Sequence, residues 1–236
     1  MSELAVEYKS HIGQDMWVAE TLNFRREGFF LEFGSLDGVI HNNTLVLEKS
    51  LGWNGICVEA NPSLYPDVCR SRNVITINAA IWRSTGETIE MVDAYGLSSA
   101  LEYKDQDVVA YYRNRDTKGI FSIQTISPND LLSRFKTPAI IDYMSLDVEG
   151  AEIDVLKSLD LQRFPIALMS VEHCEMPERQ AVLQDILEPQ GYVLMKRAYD
   201  FFCFHPGNLE SIGGSDASAR AAYEKVSAEY QVPELT

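Results

Sequence analysis

The segment Glu32-Phe33-Gly34-Ser35-Leu36-Asp37-Gly38 sets two glycines four residues apart among carboxylates, directly after an apolar run. Such glycines let a chain turn sharply and let a ligand approach the backbone closely. The dinucleotide fingerprint G-x-G-x-x-G is absent, because Val39 follows Gly38 and the next glycine is Gly52. Glu32, Asp37 and Glu59, which closes the next apolar run, give the turn an acidic surround. That surround would repel a pyrophosphate and suit a ligand with positive charge and free hydroxyls, such as an amino-acid ammonium beside a ribose. Glu59 at a strand end is placed to accept hydrogen bonds from ribose hydroxyls. The competing reading is an ordinary strand-to-helix connection in which Glu32 and Asp37 cap the next helix.

A second cluster, Asp147, Glu149, Glu172 and His173, falls at the ends of two later apolar runs. If those runs are neighbouring strands, Asp147 and Glu172 emerge side by side. An alcohol is a poor nucleophile until it loses its proton, so a placed carboxylate or imidazole can serve as general base. Crowded like charges would raise the pKa of one carboxylate. The same oxygens with the imidazole offer another use, a divalent cation held by Asp147, Glu172 and His173. Plain structural readings stand beside these. Glu149 and Glu152 flank a helix start, where negative charge favours the macrodipole, and His173 next to Cys174 could be a satisfied buried histidine. His41 reads as a loop residue or a near-cofactor contact, and His11 and His205 as structural. Tyr111-Tyr112 with Arg113 and Arg115 could stack on a sugar ring and bind an acidic acceptor group, or form a solvated helix face.

From Gly28 onward, short β-rich runs alternate with helical stretches, as in βαβ units with a parallel sheet covered on both faces. Strands are expected at Phe29–Phe33, Gly55–Ala60, Val74–Trp82, Ala139–Leu146 and Ile166–Val171, with a closing pair at Tyr192–Met195 and Asp200–His205. Helices are expected over Thr44–Leu51, ended by Gly52, and after Pro62, Pro128, Asp147 and Pro177. Residues 86–137 interrupt the alternation with expected strands at Glu87–Val92 and Ile120–Ile126, and long insertions in such folds carry specificity or cover a site. In the tail, Ala219, Ala222, Tyr223, Val226 and Tyr230 recur at helical spacing.

The formal charge is −15 over 236 residues, with 46% hydrophobic residues. That apolar content excludes a disordered chain, and the acidic balance speaks against a nucleic-acid partner, whose phosphates need a basic stripe. The four cysteines form no C-x-x-C pair, so neither a zinc knuckle nor a disulfide framework is expected. The absence of a long apolar span or a basic-then-apolar start gives the expectation of a cytoplasmic protein without a membrane span. Oligomeric state stays open, a homo-oligomer included.

Four blocks in order, SHIGQDMWV, GFFLEFGSLDGVIHNNTLVLEKSLGWNGICVEANP, INAAIW and IDYMSLDVEGAEIDVLKSL, resemble the FkbM-type S-adenosylmethionine-dependent methyltransferases over about residues 10–206. The resemblance implies a class I methyltransferase (Rossmann-like) α/β fold. That fold is a seven-stranded, mostly parallel sheet with an antiparallel last hairpin and helices on both faces. It also implies methyl transfer to oxygen, often on a sugar or polyketide hydroxyl of a small-molecule or glycan acceptor. Carried over by position, it makes Glu32, Gly34, Ser35, Asp37 and Gly38 the cofactor turn. Glu59 falls on the ribose, and Asn78 and Ala79 along the adenine. The family commonly shows G-A-N-D-G where this chain has Gly34-Ser35-Leu36-Asp37-Gly38, so Leu36 removes an amide from the turn. The expected organisation is a helical segment at 1–27, the methyltransferase domain at 28–206 and a helical tail at 207–236. Two rivals remain: a nucleotide-sugar or NAD-dependent oxidoreductase, and a non-catalytic ligand-binding module on the same fold.

Overall fold

The computed structural model describes residues 7–106 and 110–231; the side chains of Tyr111 and Tyr112 lie outside the described set. The first half of the chain forms α1 (Gln14–Thr21), β1 (Phe29–Phe33), α2 (Leu45–Leu51), β2 (Asn54–Glu59), α3 (Tyr65–Ser71), β3 (Ile75–Asn78), β4 (Ala80–Ile81), β5 (Thr88–Asp93) and β6 (Ser99–Ala100). The second half forms α4 (Ala110–Asp116), β7 (Gly119–Ile126), α5 (Pro128–Arg134), β8 (Ile141–Leu146), α6 (Glu152–Ser158), β9 (Ile166–Glu172), α7 (Pro177–Leu187), β10 (Val193–Arg197), β11 (Asp200–Phe204), α8 (Pro206–Ser211) and α9 (Asp216–Glu229).

Seven strands make the main sheet in the order β3-β2-β1-β8-β9-β11-β10. All neighbours run parallel except at β11, which is antiparallel to both β9 and β10. The chain builds outward through β1, β2 and β3, then returns to lay β8 on the other side of β1. The order therefore reverses between β1 and β8, and a crevice opens beyond their C-terminal ends.

Strand period and burial agree. Phe30, Cys57, Tyr143, Leu168, Phe202 and Phe204 point to one face, where α1, α2, α8 and α9 cover them. Leu31, Phe33, Val58, Met144, Leu146, Met169 and Val171 point to the other, under α5, α6 and α7. Gly52 ends α2 in the left-handed conformation at φ 71°, as its place after the periodic residues predicts. The tail is a docked helix: Ala219, Ala222 and Val226 of α9 are buried against α1, and Ser215 and Ser218 form a reciprocal cap at its start.

One expected strand is two. The run Val74–Trp82 breaks at Ala79, because Ile75–Asn78 pairs with β2 whereas Ala80 and Ile81 pair with Thr125 and Ile126 of β7. The segment over 86–137 is thus an annexed sheet of order β4-β7-β5-β6, rooted in the main fold through β4. Among the described residues no helix is long and apolar enough to cross a membrane.

Trp17 of α1 is fully buried, donates from Nε1 to Ala219 O at 3.1 Å and lies 4.8 Å from the Phe202 ring centroid. Trp17→Ala is expected to destabilise the fold by about 3–5 kcal/mol, measured as a lower urea midpoint with an unchanged slope.

Candidate active site

A cavity of about 540 Å³ occupies the crevice at the C-terminal ends of β1, β2, β8, β9 and the start of β11. Its size is that of a small-molecule site. Gly34 sits at the switch point with φ 89°, and a β-carbon there would overlap the carbonyl oxygen of Asp147. Asp147 N donates to Phe33 O at 3.0 Å and Gly34 N to Val58 O at 3.0 Å, so the three strand ends are laced together around a residue that must lack a side chain.

Each acid of the turn has its own arrangement. Glu32 is 1% exposed; its Oε2 accepts from Arg72 Nη1 and Asn42 Nδ2, both at 2.9 Å, and its Oε1 from Asn43 N at 3.2 Å. Arg72, 3% exposed, also donates to Glu48 Oε2 at 2.6 Å, Asn42 Oδ1 at 2.9 Å and Thr44 Oγ1 at 2.8 Å. This guanidinium pins the loop from Leu36 to Thr44 and neutralises Glu32 in place. Asn42 Oδ1 also accepts from Thr44 N and Leu45 N, capping α2. Glu59 is buried, with Oε2 accepting from Leu36 N at 2.8 Å and Oε1 from Asn61 N at 2.7 Å. Burial pushes Glu59 up to about 7 against those backbone donors. Asp37 turns outward and caps its own loop, accepting from Val39 N and Ile40 N.

Asp147 and Glu172 line the opposite wall. Burial first, then the neighbouring Glu152, raises Asp147 to about 7, and burial with the charge of Asp147 holds Glu172 well above the carboxylate range. Glu172 Oε2 is buried without a hydrogen-bond partner. Asp200 is the Cα partner of Glu172 across the β9–β11 ladder. Burial and the nearby Asp147 raise it to about 8, and its Oδ2 accepts from Gln14 Nε2 at 3.0 Å.

The annexed sheet supplies the other half of the lining. Ala79, Ile81, Ile89, Met91 and Ala100 make an apolar slot beside Leu64, and the turn at Tyr95–Leu97 closes over it. This cover is fastened by Arg113, which is fully buried and donates to Leu97 O at 2.6 Å, Lys104 O at 2.7 Å and Glu149 Oε2 at 2.7 Å. Ser99 Oγ adds a bond to Glu149 O at 2.6 Å.

Of the residues singled out from the sequence, Glu32, Gly34, Ser35, Glu59, Ala79, Asp147, Glu149 and Glu172 all line this cavity. Asp37, Gly38, Asn78 and His173 are not among its lining residues. Asn78 Nδ2 instead donates to the carbonyls of Glu59 and Ala60 and holds the end of β2. Gly38 packs at φ 81° against Ser71 and Arg72.

His173 is one residue past Glu172 and so projects to the other face, edge-on to Phe201, with Nδ1 accepting from Glu175 N. Burial lowers it to about 4, a neutral imidazole. The ligand set Asp147, Glu172 and His173 is therefore not assembled. The acid that does bring an oxygen within 4.8 Å of both Asp147 and Glu172 is Glu152. Glu152 is already engaged by Arg179 and by Val148 N and Gly150 N. Glu149, expected as a reacting group, holds the cover through Arg113. Arg113 in turn is no acceptor ligand, and Tyr111 and Tyr112 fall outside the described side chains.

Sequence reasoning missed Gln14, Asn43 and Asp200, which join the cavity from α1, the loop after β1 and β11. Asp200 had a signal, since it opens an apolar run as an unexplained acid. Gln14 and Asn43 had none.

Strand order defines the class I methyltransferase fold: a seven-stranded sheet with one antiparallel strand and a glycine turn at the reversal point. More narrowly, residues 32–201 match the methyltransferase FkbM domain, and the chain belongs to that family. No curated protein matches it. Among solved structures, it is similar to the precorrin-6y C5,15-methyltransferase of Geobacter metallireducens GS-15, at 9% identity over 86% of this chain and 90% of that one, with a TM-score of 0.47. A methyltransferase from Pyrococcus furiosus is 12% identical over 86% and 88%, with a TM-score of 0.43. The N-terminal domain of human METTL16, solved with SAH, is 13% identical over 79% and 65%, with a TM-score of 0.41.

Arg72→Met leaves Glu32 buried and unpaired and is expected to cost about 3–5 kcal/mol of stability. The double variant Arg72→Met/Glu32→Gln should recover part of that loss in chemical denaturation. Strictly additive losses would mean that the pair is not coupled.

Proposed function

We propose that the protein is an S-adenosylmethionine-dependent O-methyltransferase acting on a hydroxyl of a sugar, glycan or other natural-product acceptor. One observation carries the reading: a single cavity has an acidic half at the strand ends and an apolar slot under the annexed sheet, joined at Gly34. That division matches a molecule with a flat base at one end and cationic sulfur and ammonium groups at the other. A nicotinamide dinucleotide fits less well, because its diphosphate would face Glu32, Glu59 and Asp147 with no third glycine to receive it.

The residues fit the cofactor. A carboxylate has about four acceptor sites, and Glu59 spends two on backbone N–H groups, which leaves two for ribose hydroxyls. The slot between Leu64, Ala79 and Met91 takes an adenine, and Gly34 allows close backbone approach. When bound, S-adenosylmethionine supplies a methyl group made electrophilic by the attached positive sulfur.

The chain's own work is then positioning and proton handling. The Asp147–Glu172 pair lies where the acceptor hydroxyl enters, and one carboxylate of the pair, held ionised while its neighbour is protonated, accepts the hydroxyl proton. The cover of Tyr95–Leu97 and α4 excludes water from that proton path. Alignment of two reactants supplies about 7–11 kcal/mol, whereas a general base gives about 10²–10⁴ in rate. Loss of the base should therefore leave measurable turnover. Among the described residues the cavity lining includes no lysine or arginine, which supports setting nucleic-acid acceptors aside. The direct test is transfer of labelled methyl to a panel of glycans, sugars and small alcohols, with and without chelator.

Glu59→Ala is expected to weaken cofactor affinity by more than tenfold in calorimetry, each lost hydrogen bond to a carboxylate being worth about 1.5–3 kcal/mol. An unchanged affinity removes Glu59 from the site. Asp147→Asn should lower turnover by about 10²–10⁴ and spare cofactor affinity. In the wild type, turnover should rise with pH through about 7, where Asp147 loses its proton, and level off above. A flat profile would take proton transfer away from this carboxylate.

A further inference from the structure

We propose that the acceptor carries a protonated amine beside its reacting hydroxyl, and that Glu172, Asp200 and Asn43 receive that ammonium. The substrate class is then an amino sugar or related amino alcohol, and phosphorylated acceptors are excluded. The inference rests on the methyltransferase reading and specifies its second substrate.

The charge distribution leads there. Among the described residues, seven carboxylates line the cavity and no lysine or arginine does. Glu32 is offset by Arg72, Glu149 by Arg113, and rim residue Asp116 by Arg115. Glu59 is held by two backbone donors. Asp147, Glu172 and Asp200 form no ion pair among the described residues. Strand register puts all three together on one face, since Asp200 pairs with Glu172 and Asp147 follows Leu146, the partner of Val171.

Hydrogen-bond supply points the same way independently. Asn43 is 7% exposed, and its Oδ1 is buried without a partner. Its Nδ2 donates to Ser145 Oγ at 2.8 Å, and Ser145 is in register with Ser170, two residues before Glu172 on the same face. With the unpartnered Glu172 Oε2, this end of the cavity presents buried acceptors lacking donors, while Gln14 Nε2 is already given to Asp200 and Asn43 Nδ2 to Ser145. An ammonium brings three donors and a positive charge to such a surround. A phosphate would bring acceptors and negative charge, which neither the acids nor the unpaired oxygens can take.

The test uses the full chain saturated with S-adenosylhomocysteine, titrated in a calorimeter with glucosamine, N-acetylglucosamine, glucosamine 6-phosphate and Mg²⁺. Glucosamine should bind at least about tenfold more tightly than its N-acetyl or phosphorylated form, a charged hydrogen bond being worth that much or more. Asp200→Asn and Glu172→Gln should each remove that preference while S-adenosylhomocysteine affinity stays within about twofold. Equal or absent binding of the amine overturns the inference, as does Mg²⁺ binding in its place. A loss of S-adenosylhomocysteine affinity in Asp200→Asn that matches the loss of amine affinity also overturns it, because the acids would then serve the cofactor's own ammonium. Failure of the wild type to bind S-adenosylhomocysteine would instead sink the methyltransferase reading itself.

Discussion

A sheet whose strands end in carboxylates must balance those charges or keep them wet, and that constraint organises this protein. Unpaired burial of one carboxylate costs several kcal/mol, and three of the acids at the edge are matched by arginines. Arg72 from the end of α3 meets Glu32, Arg113 from α4 meets Glu149, and Arg179 from α7 meets Glu152. Each arginine arrives on a different element, so the ion pairs also tie the loop after β1, the annexed sheet and α7 to the strand ends. Among the described cavity-lining carboxylates, Asp147, Glu172 and Asp200 have no arginine partner and Glu59 is held by backbone N–H groups instead. Where the arginines go thus separates the acids tied into the scaffold from those left without a counter-charge.

Much of this edge was legible in the sequence for a simple reason. Apolar strands that stop at an acid announce both the strand and its C-terminal end, which places Glu32, Glu59, Asp147 and Glu172 in one layer once the sheet is parallel. The glycine turn and the C-terminal Gly52 were legible because their backbone conformations exclude most other residues. His173 was misplaced because a strand alternates faces: adjacency to Glu172 in the chain sends it away from Glu172 in space. The arginine partners were beyond reach, since they lie 40, 36 and 27 residues from the acids they meet. No periodicity connects positions that far apart. The break at Ala79 was equally hidden, because two consecutive short strands of different sheets read as one apolar run.

Leu36 shows how the turn departs from the pattern it resembles. It sits at φ 52°, in the left-handed region where asparagine is tolerated and a branched side chain is strained. The family commonly has asparagine there. In this chain the conformation is held instead by the bond from Leu36 N to Glu59 and by Arg72 on the far side of the loop. The leucine side chain faces the cavity and packs toward Gly96 in the cover. An amide that could have touched the cofactor has become an apolar contact between turn and cover.

The cover and the strand end at Asp147 are consequently one mechanical unit. Glu149 lies two residues after Asp147, itself at φ 55°, and both its carbonyl and its carboxylate are bound by the annexed sheet, through Ser99 and Arg113. A left-handed residue outside glycine persists only where its surroundings fix it, and here the surroundings are the cover itself. Displacing the cover would therefore release the backbone that positions Asp147, and moving Asp147 would strain the cover. Residues 86–137 read as a specificity insertion by length alone. Their attachment point also fixes the backbone beside Asp147, so that the cover and this strand end are held by the same buried arginine.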